Sequence, residues 1–281
     1  MRKQQLILIS AGIALVAILF VFGKTVDPNK QKIPAVEPAS KKEASLSTND
    51  VISKYKANLN PAQLQTLAQL ENSVVRGDVH TQQINIDHQL AAYWIDTLHR
   101  DDLGAYYAGE AAKLENSEKN LTFAAHLLLD NMMSASDPAL QHWQALQAKE
   151  LFERALKINP ANDSSKIGLG ACYMFGSISD NPMQGILAVK EIADKDPNNL
   201  YAQMMLGLGG VQSGQYDKAA ERFLNVINKQ PDNIEAILNL AQVYDRLGRK
   251  ADAIKWYQEA LKYISVPEAR TEIETRIKAL Q

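Results

Sequence analysis

The chain has 281 residues, 22% of them charged and 46% hydrophobic, with a formal net charge of −2 and a pI near 6.2. That composition suits a globular domain or a helical array, and the small net charge removes the electrostatic basis for a nucleic-acid partner. The single cysteine, Cys172, cannot form an internal disulfide. Its place on an apolar helical face beside Tyr173 predicts a small buried hydrophobe rather than a reactive thiol.

Residues 1–5 are a short basic head. Leu6 to Gly23 then runs without a charge, and at about 1.5 Å per residue it reaches roughly 27 Å, the thickness of a bilayer core. Its end, Phe20-Val21-Phe22-Gly23-Lys24, carries no small-residue cleavage pattern and no lipidation cysteine. An uncleaved transmembrane anchor over 6–23 is therefore expected, with a cleavable signal peptide as the competing reading. Basic residues lie on both sides of the run (Arg2 and Lys3 before it, Lys24, Lys30 and Lys32 after), so counting them does not orient the span. A basic head before an apolar run reads as an export signal, which places residues 24–281 outside the cytoplasm. A soluble domain on the cytoplasmic face is the alternative. Residues 24–50, with Pro28, Pro34 and Pro38 and few apolar side chains, read as a disordered linker of roughly 30 Å root-mean-square reach.

Helical periodicity begins at Asp50. A short helix in VISKYKANL precedes one opened by Asn60-Pro61 and stopped by Gly77, with Leu64, Leu67, Leu70 and Val74 as its apolar stripe. Further helical stretches lie in INIDHQLAAYWIDTLHR, LGAYYAGEAAKLEN and SEKNLTFAAHLLLDNMM, the last capped from Ser117 and carrying Leu121, Ala124, Ala125 and Leu128. Residues 51–137 thus form an irregular helical region or a set of degenerate repeats, in which Leu90, Ala91 and Trp94 followed by Ala108 and Ala112 make a blurred repeat unit, and Asp137-Pro138 opens a long helix to about Ile158. No strand pattern occurs, so the class is all-α.

Two helical patterns then stand back to back around Gly248. Ile237, Leu240, Ala241 and Tyr244 mark the first; Ala253, Tyr257, Ala260 and Leu261 mark the second. Thirty-four residues earlier, Gly207, Gly214, Ala219 and Phe223 occupy the places of Ala241, Gly248, Ala253 and Tyr257, and Pro231 closes the unit. A third, degraded copy shows Leu169, Gly170 and Tyr173, then Gly185, Val189 and Ile192, with about three extra residues in the intervening turn. Ala148, Phe152, Ala155 and Pro160 repeat the second-helix pattern once more.

This period of paired helices resembles the tetratricopeptide repeat (TPR). The resemblance divides the chain into a partial TPR at 138–162, a TPR with a turn insertion at 163–199, and TPRs at 200–233 and 234–266. Residues 267–281, with Ala269, Ile273, Ile277 and Leu280 on one face and Ser265 and Glu268 set as a capping box, are a capping helix. The implied fold is a right-handed α-solenoid of TPR helix hairpins, with an N-terminal single transmembrane helix and a C-terminal capping helix.

Catalytic patterns fail one by one. HRDDL, from His99, shares letters with a kinase catalytic loop but lacks its Asn and Gly-rich partners, and reads as the surface end of a helix. GLGGVQSG, from Gly207, follows no strand, so it is no dinucleotide loop. Five histidines form no ligand pair. No catalytic, cofactor-binding or metal residue is predicted, no cofactor is implied, and the chain is read as non-enzymatic.

In the TPR family the first helices line an inner groove. Carried over by repeat position, the groove residues are Tyr201, Met204, Met205, Leu208, Val211 and Gln212, then Glu235, Leu238, Asn239, Gln242, Asp245 and Arg246. Only Asn239 and Arg246 resemble a carboxylate clamp. The methionines suit an adaptable apolar wall for a helix or an extended peptide; alternatively Met204, Met205 and Leu208 pack only against neighbouring helices. The resemblance implies a bacterial scaffold or adaptor for protein or peptide partners, anchored in the inner (cytoplasmic) membrane with a periplasmic body, in envelope protein assembly. The competing readings are a self-associating structural solenoid, forming a homo-oligomer, and an accessory subunit of an envelope enzyme or secretion complex.

Overall fold

Proline and asparagine set the repeat punctuation. Asn159-Pro160, Asp196-Pro197 and Gln230-Pro231 each end a helix, because a residue before proline is pushed out of the helical region. Their φ angles are −131°, −131° and −130°. Two residues beyond each proline, Asn162, Asn199 and Asn233 cap the next helix, their side chains accepting from the backbone N–H of Ser165, Ala202 and Ala236 at 2.9, 3.0 and 2.9 Å.

The computed structural model describes residues 46–73 and 77–281. The predicted anchor, most of the predicted linker and Val74 lie outside the described residues. Among the described residues there are thirteen α-helices and no strand. They are α1 Thr48–Lys56, α2 Pro61–Glu71, α3 Val79–Ala92, α4 Asp101–Glu115, α5 Glu118–Ser134, α6 Pro138–Ile158 and α7 Asp163–Phe175. The rest are α8 Met183–Lys195, α9 Leu200–Gln212, α10 Tyr216–Lys229, α11 Ile234–Arg246, α12 Lys250–Ala260 and α13 Pro267–Leu280. None of them is long and apolar enough to cross a membrane.

From α5 onward the helices pair as hairpins: α5 with α6, α7 with α8, α9 with α10, α11 with α12. The first helices also pack on one another, α5 on α7, α7 on α9 and α9 on α11, so they form one continuous layer. Small residues set the pairing distance. A Cβ on Gly207 would lie 2.5 Å from the Phe223 ring, and one on Gly185 would lie 2.3 Å from the Gly170 carbonyl oxygen. The two regular turns need a left-handed residue, supplied by Gly214 at φ +73° and Gly248 at φ +71°.

Two hydrophobic cores lie along the chain. The larger runs from Ala105 to Leu280; the smaller joins Val51, Leu67, Leu90, Trp94, Leu103, Tyr107 and Trp143. Helix α6 serves both, with Trp143 in the small core and Ala148, Leu151, Phe152 and Ala155 in the large one.

Several local expectations are revised. Helix α1 starts at Thr48 because Ser47 and Asp50 close a capping box. Helix α2 stops at Glu71, short of Gly77: Asn72 and Ser73 close its last turn, their side chains adding hydrogen bonds to the carbonyls of Ala68 and Leu70 at 2.7 and 2.6 Å. Ser117 stands at the start of α5 but makes no side-chain cap bond. The expected capping box of α13 is also absent: Val266 is the N-cap residue. Arg270 holds that helix instead, donating from Nη1 to the carbonyls of Leu261 and Ile264 at 2.6 and 2.7 Å, where α12 ends.

Candidate partner-binding groove

Helices α5, α7, α9 and α11 form a layer that curls toward one side, as side chains reaching across it demonstrate. His126 of α5 meets Tyr201 of α9, ring centroids 5.5 Å apart, above Ser164 of α7, whose Oγ lies 2.8 Å from His126 Nε2. Side chains from helices two steps apart touch only on the inner side of a curved layer.

On that side α5 presents Phe123, His126, Asp130 and Met133, spaced by three and four residues and so on one face. Phe123 is 63% exposed and Met133 36%. The carboxylates of Asp130 and Glu235 make no ion pair or hydrogen bond with any described residue. Partial desolvation of these surface carboxylates raises the pKa of both, and for Glu235 the charge of Asp130 adds to the effect. The Tyr201 hydroxyl is enclosed without a hydrogen-bond partner among the described residues. Its pKa is pushed up by burial first and then by Asp130.

The predicted groove residues divide by exposure. Met204 and Met205 are 6% and 9% exposed and belong to the large core. Tyr201, Leu208, Val211, Leu238 and Asn239 are half-buried, and Asn239 Nδ2 donates to the Glu235 carbonyl of its own helix at 2.9 Å. Gln212, Glu235, Gln242 and Arg246 are exposed. A cleft of about 810 Å³ between α11 and α13 brings Leu238, Gln242, Asp245 and Arg246 together with Ile273 and Arg276. Arg276 spans it, its Nε donating to Asp245 Oδ2 at 2.8 Å.

Sequence reasoning missed Phe123, His126 and Asp130. Their helix lacks the glycine and aromatic of a regular repeat; its only signal was the small-residue pair Ala124-Ala125 between Leu121 and Leu128.

The residues set aside as chemically silent have structural places. Cys172 is fully buried and its pKa is pushed up to about 12 by burial. In HRDDL the surface reading is corrected for Asp102, which is 6% exposed. Tyr55 donates to its Oδ2 at 2.7 Å, Arg100 Nε donates to its Oδ1 at 3.2 Å, and the Arg100 guanidinium stacks 3.7 Å over the Tyr55 ring. The run from Gly207 lies in α9, with Gly210 against Ala219 of α10. No group of three or more His, Cys, Asp or Glu side chains among the described residues is placed to hold a metal ion.

Stacked hairpins whose first helices share a curved inner layer define an α-solenoid. Within it, residues 204–269 match the family model of the tetratricopeptide repeat. Among solved structures, TTC0263, a thermophilic TPR protein in Thermus thermophilus, is 18% identical with a TM-score of 0.50, covering 72% of this chain and 98% of its own. PilW, a type IV pilus biogenesis factor, is 18% identical with a TM-score of 0.47 and coverage of 70% and 92%. MamA from Desulfovibrio magneticus RS-1 is 16% identical with a TM-score of 0.44 and coverage of 67% and 97%. No curated protein matches the chain.

Proposed function

We propose that this protein is a non-enzymatic scaffold that binds polypeptide segments along the inner layer α5–α11 and into the α11–α13 cleft. The observation that carries the reading is the inner face of α5. An exposed Phe123 stands on the same helix face as Asp130, and Asp130 and, on α11, Glu235 are carboxylates unpaired among the described residues. The exposed aromatic offers apolar contact area and the two exposed carboxylates offer negative charge. Together they suit a segment that alternates apolar and basic side chains. The charge-free run 6–23 supports an anchor in the inner membrane, with residues 24–281 in the periplasm and a role in envelope protein assembly.

In-cell photo-crosslinking with a probe at Phe123 tests the groove. A discrete partner crosslinked there, and lost on Asp130→Lys with Glu235→Lys, is the expected result. Equal recovery of that partner by the double variant rejects the groove. Retention of the full chain in membranes after a carbonate wash tests the anchor; complete release rejects it. Self-association is the second reading, favoured by Met183 and Leu187, one turn apart on α8 and 51% and 59% exposed. A protein that sediments as a monomer from micromolar to near-millimolar concentration rejects it.

A further inference from the structure

Helices α3, α4 and α6 border an open cavity of about 460 Å³, lined by Gln83, Asp87, Tyr106, Tyr107, Glu110 and Arg154 among others. Asp87 is only 4% exposed. Gln83 Nε2 donates to its Oδ1 at 2.9 Å, while its Oδ2 accepts no hydrogen bond from any described residue. The hydroxyls of Tyr106 and Tyr107, on the same cavity, make none with a described residue either.

The cations of this wall are already matched. Lys113 Nζ lies 2.7 Å from Glu110 and 2.9 Å from Glu150, and Arg154 Nη2 lies 2.8 Å from Glu150. Asp87 makes no ion pair with any described residue; burial first, with Glu110 adding repulsion, raises its pKa, against the Gln83 hydrogen bond and a weaker pull from His88, which is itself paired with Glu115. A buried carboxylate in that position either stays protonated or takes a cation from outside.

We propose that the cavity binds a primary alkylammonium group, of the kind that ends a lysine side chain. An ammonium carries three N–H donors, and Asp87 Oδ2 and the two tyrosine hydroxyls are three unused acceptors on one cavity. The tyrosine rings, edge to face at 5.2 Å, give the alkyl stem and the charge an aromatic wall. A guanidinium fits less well, because its fork needs both carboxylate oxygens and Gln83 already holds Oδ1.

The test is calorimetric titration of the full chain in detergent with n-butylammonium chloride in phosphate buffer, and with n-butanol as the uncharged match. Saturable millimolar binding of the ammonium alone is expected, weakened about tenfold or more by Asp87→Asn, which removes the charge-assisted bond. Tyr107→Phe, which keeps the ring and removes one acceptor, weakens binding about threefold to tenfold and serves where the Asp87 variant fails to fold. Binding of a terminally blocked peptide with a single lysine assigns the site to a partner's side chain; binding of the free amine alone assigns it to a small amine. No saturation by either, equal binding of butanol, or unchanged affinity in both variants overturns the proposal.

Discussion

Replacing Gly185 by alanine sets two forces against each other with opposite signs. Gly185 is the third residue of α8, so alanine gains there no more than the about 1 kcal/mol of backbone entropy it is worth in a helix interior. The α7–α8 crossing reverses that. The new Cβ would stand 2.3 Å from the Gly170 carbonyl oxygen and 3.0 Å from Tyr173 Cβ, and the first neighbour is backbone, which has no rotamer to escape into. Carbon prefers neighbours at about 3.5–4.0 Å, so the helices must part by roughly 1 Å, and a gap of that size forfeits a quarter to a half of each contact across it. Overpacking of this kind costs about 1–3 kcal/mol, and a rigid neighbour puts Gly185 in the upper part of that range. The net effect is a loss of about 1–2 kcal/mol, or roughly 2–6 °C in Tm for a body of this size. Thermal unfolding followed by circular dichroism checks it, with amide exchange in α7 and α8 locating the loss, since solenoids lose stability unit by unit. Gly210→Ala is the control: its Cβ would meet the Ala219 Cβ at 3.1 Å, and the propensity gain about cancels the crowding. A Tm for Gly185→Ala at or above the parent value would refute the packing argument.

Asp102→Asn should lower unfolding free energy by about 2–4 kcal/mol in urea titrations, because it leaves the stacked Arg100 without its buried counter-charge. Burial lowers the pKa of His126, with Asp130 partly opposing; the unfolded chain therefore takes up the proton first, and stability falls as pH drops below about 6.5. His126→Gln should flatten that dependence between about pH 7 and 6; Asp130 and Glu235, raised by burial, contribute in the opposite sense and at lower pH. Cys172, fully buried with its pKa pushed up to about 12, should resist a thiol-specific disulfide reagent at neutral pH and react only on unfolding. Rapid labelling of the native chain would contradict that burial.

The regular repeats were legible because their constraints are local. A helix pair must place a small residue where the backbones meet and an aromatic where they diverge, so Gly207 with Phe223 and Ala241 with Tyr257 read directly from spacing. The proline ends of the units read equally well. Exposure did not. Met204 and Met205 hold groove positions by repeat arithmetic, yet the curl of the layer buries them, and curl depends on residues in other repeats. The acidic inner face is non-local for the same reason: Asp130 and Glu235 are about a hundred positions apart and belong to helices of different hairpins. Asp102 was misjudged because its partners, Tyr55 and Arg100, come from a segment without repeat spacing.

The long helix α6 explains how an irregular N-terminal half and a periodic C-terminal half coexist in one body. A repeat's second helix needs about four turns to cover its partner, and α6 has 21 residues against 13 for α8 and 14 for α10. Its surplus lies at the N-terminal end, where Trp143 enters the small core and donates from Nε1 to Thr48 Oγ1 at 3.1 Å. The first described helix is thereby fastened to the element that starts the repeat array. This matters for the groove, because α5, which supplies Phe123 and Asp130, is the first helix of the inner layer, with α4 packed against it from the N-terminal side. Terminal units of a solenoid fray unless capped. The small core, reaching α5 through α4 and α6, acts as that cap, as α13 does at the other end.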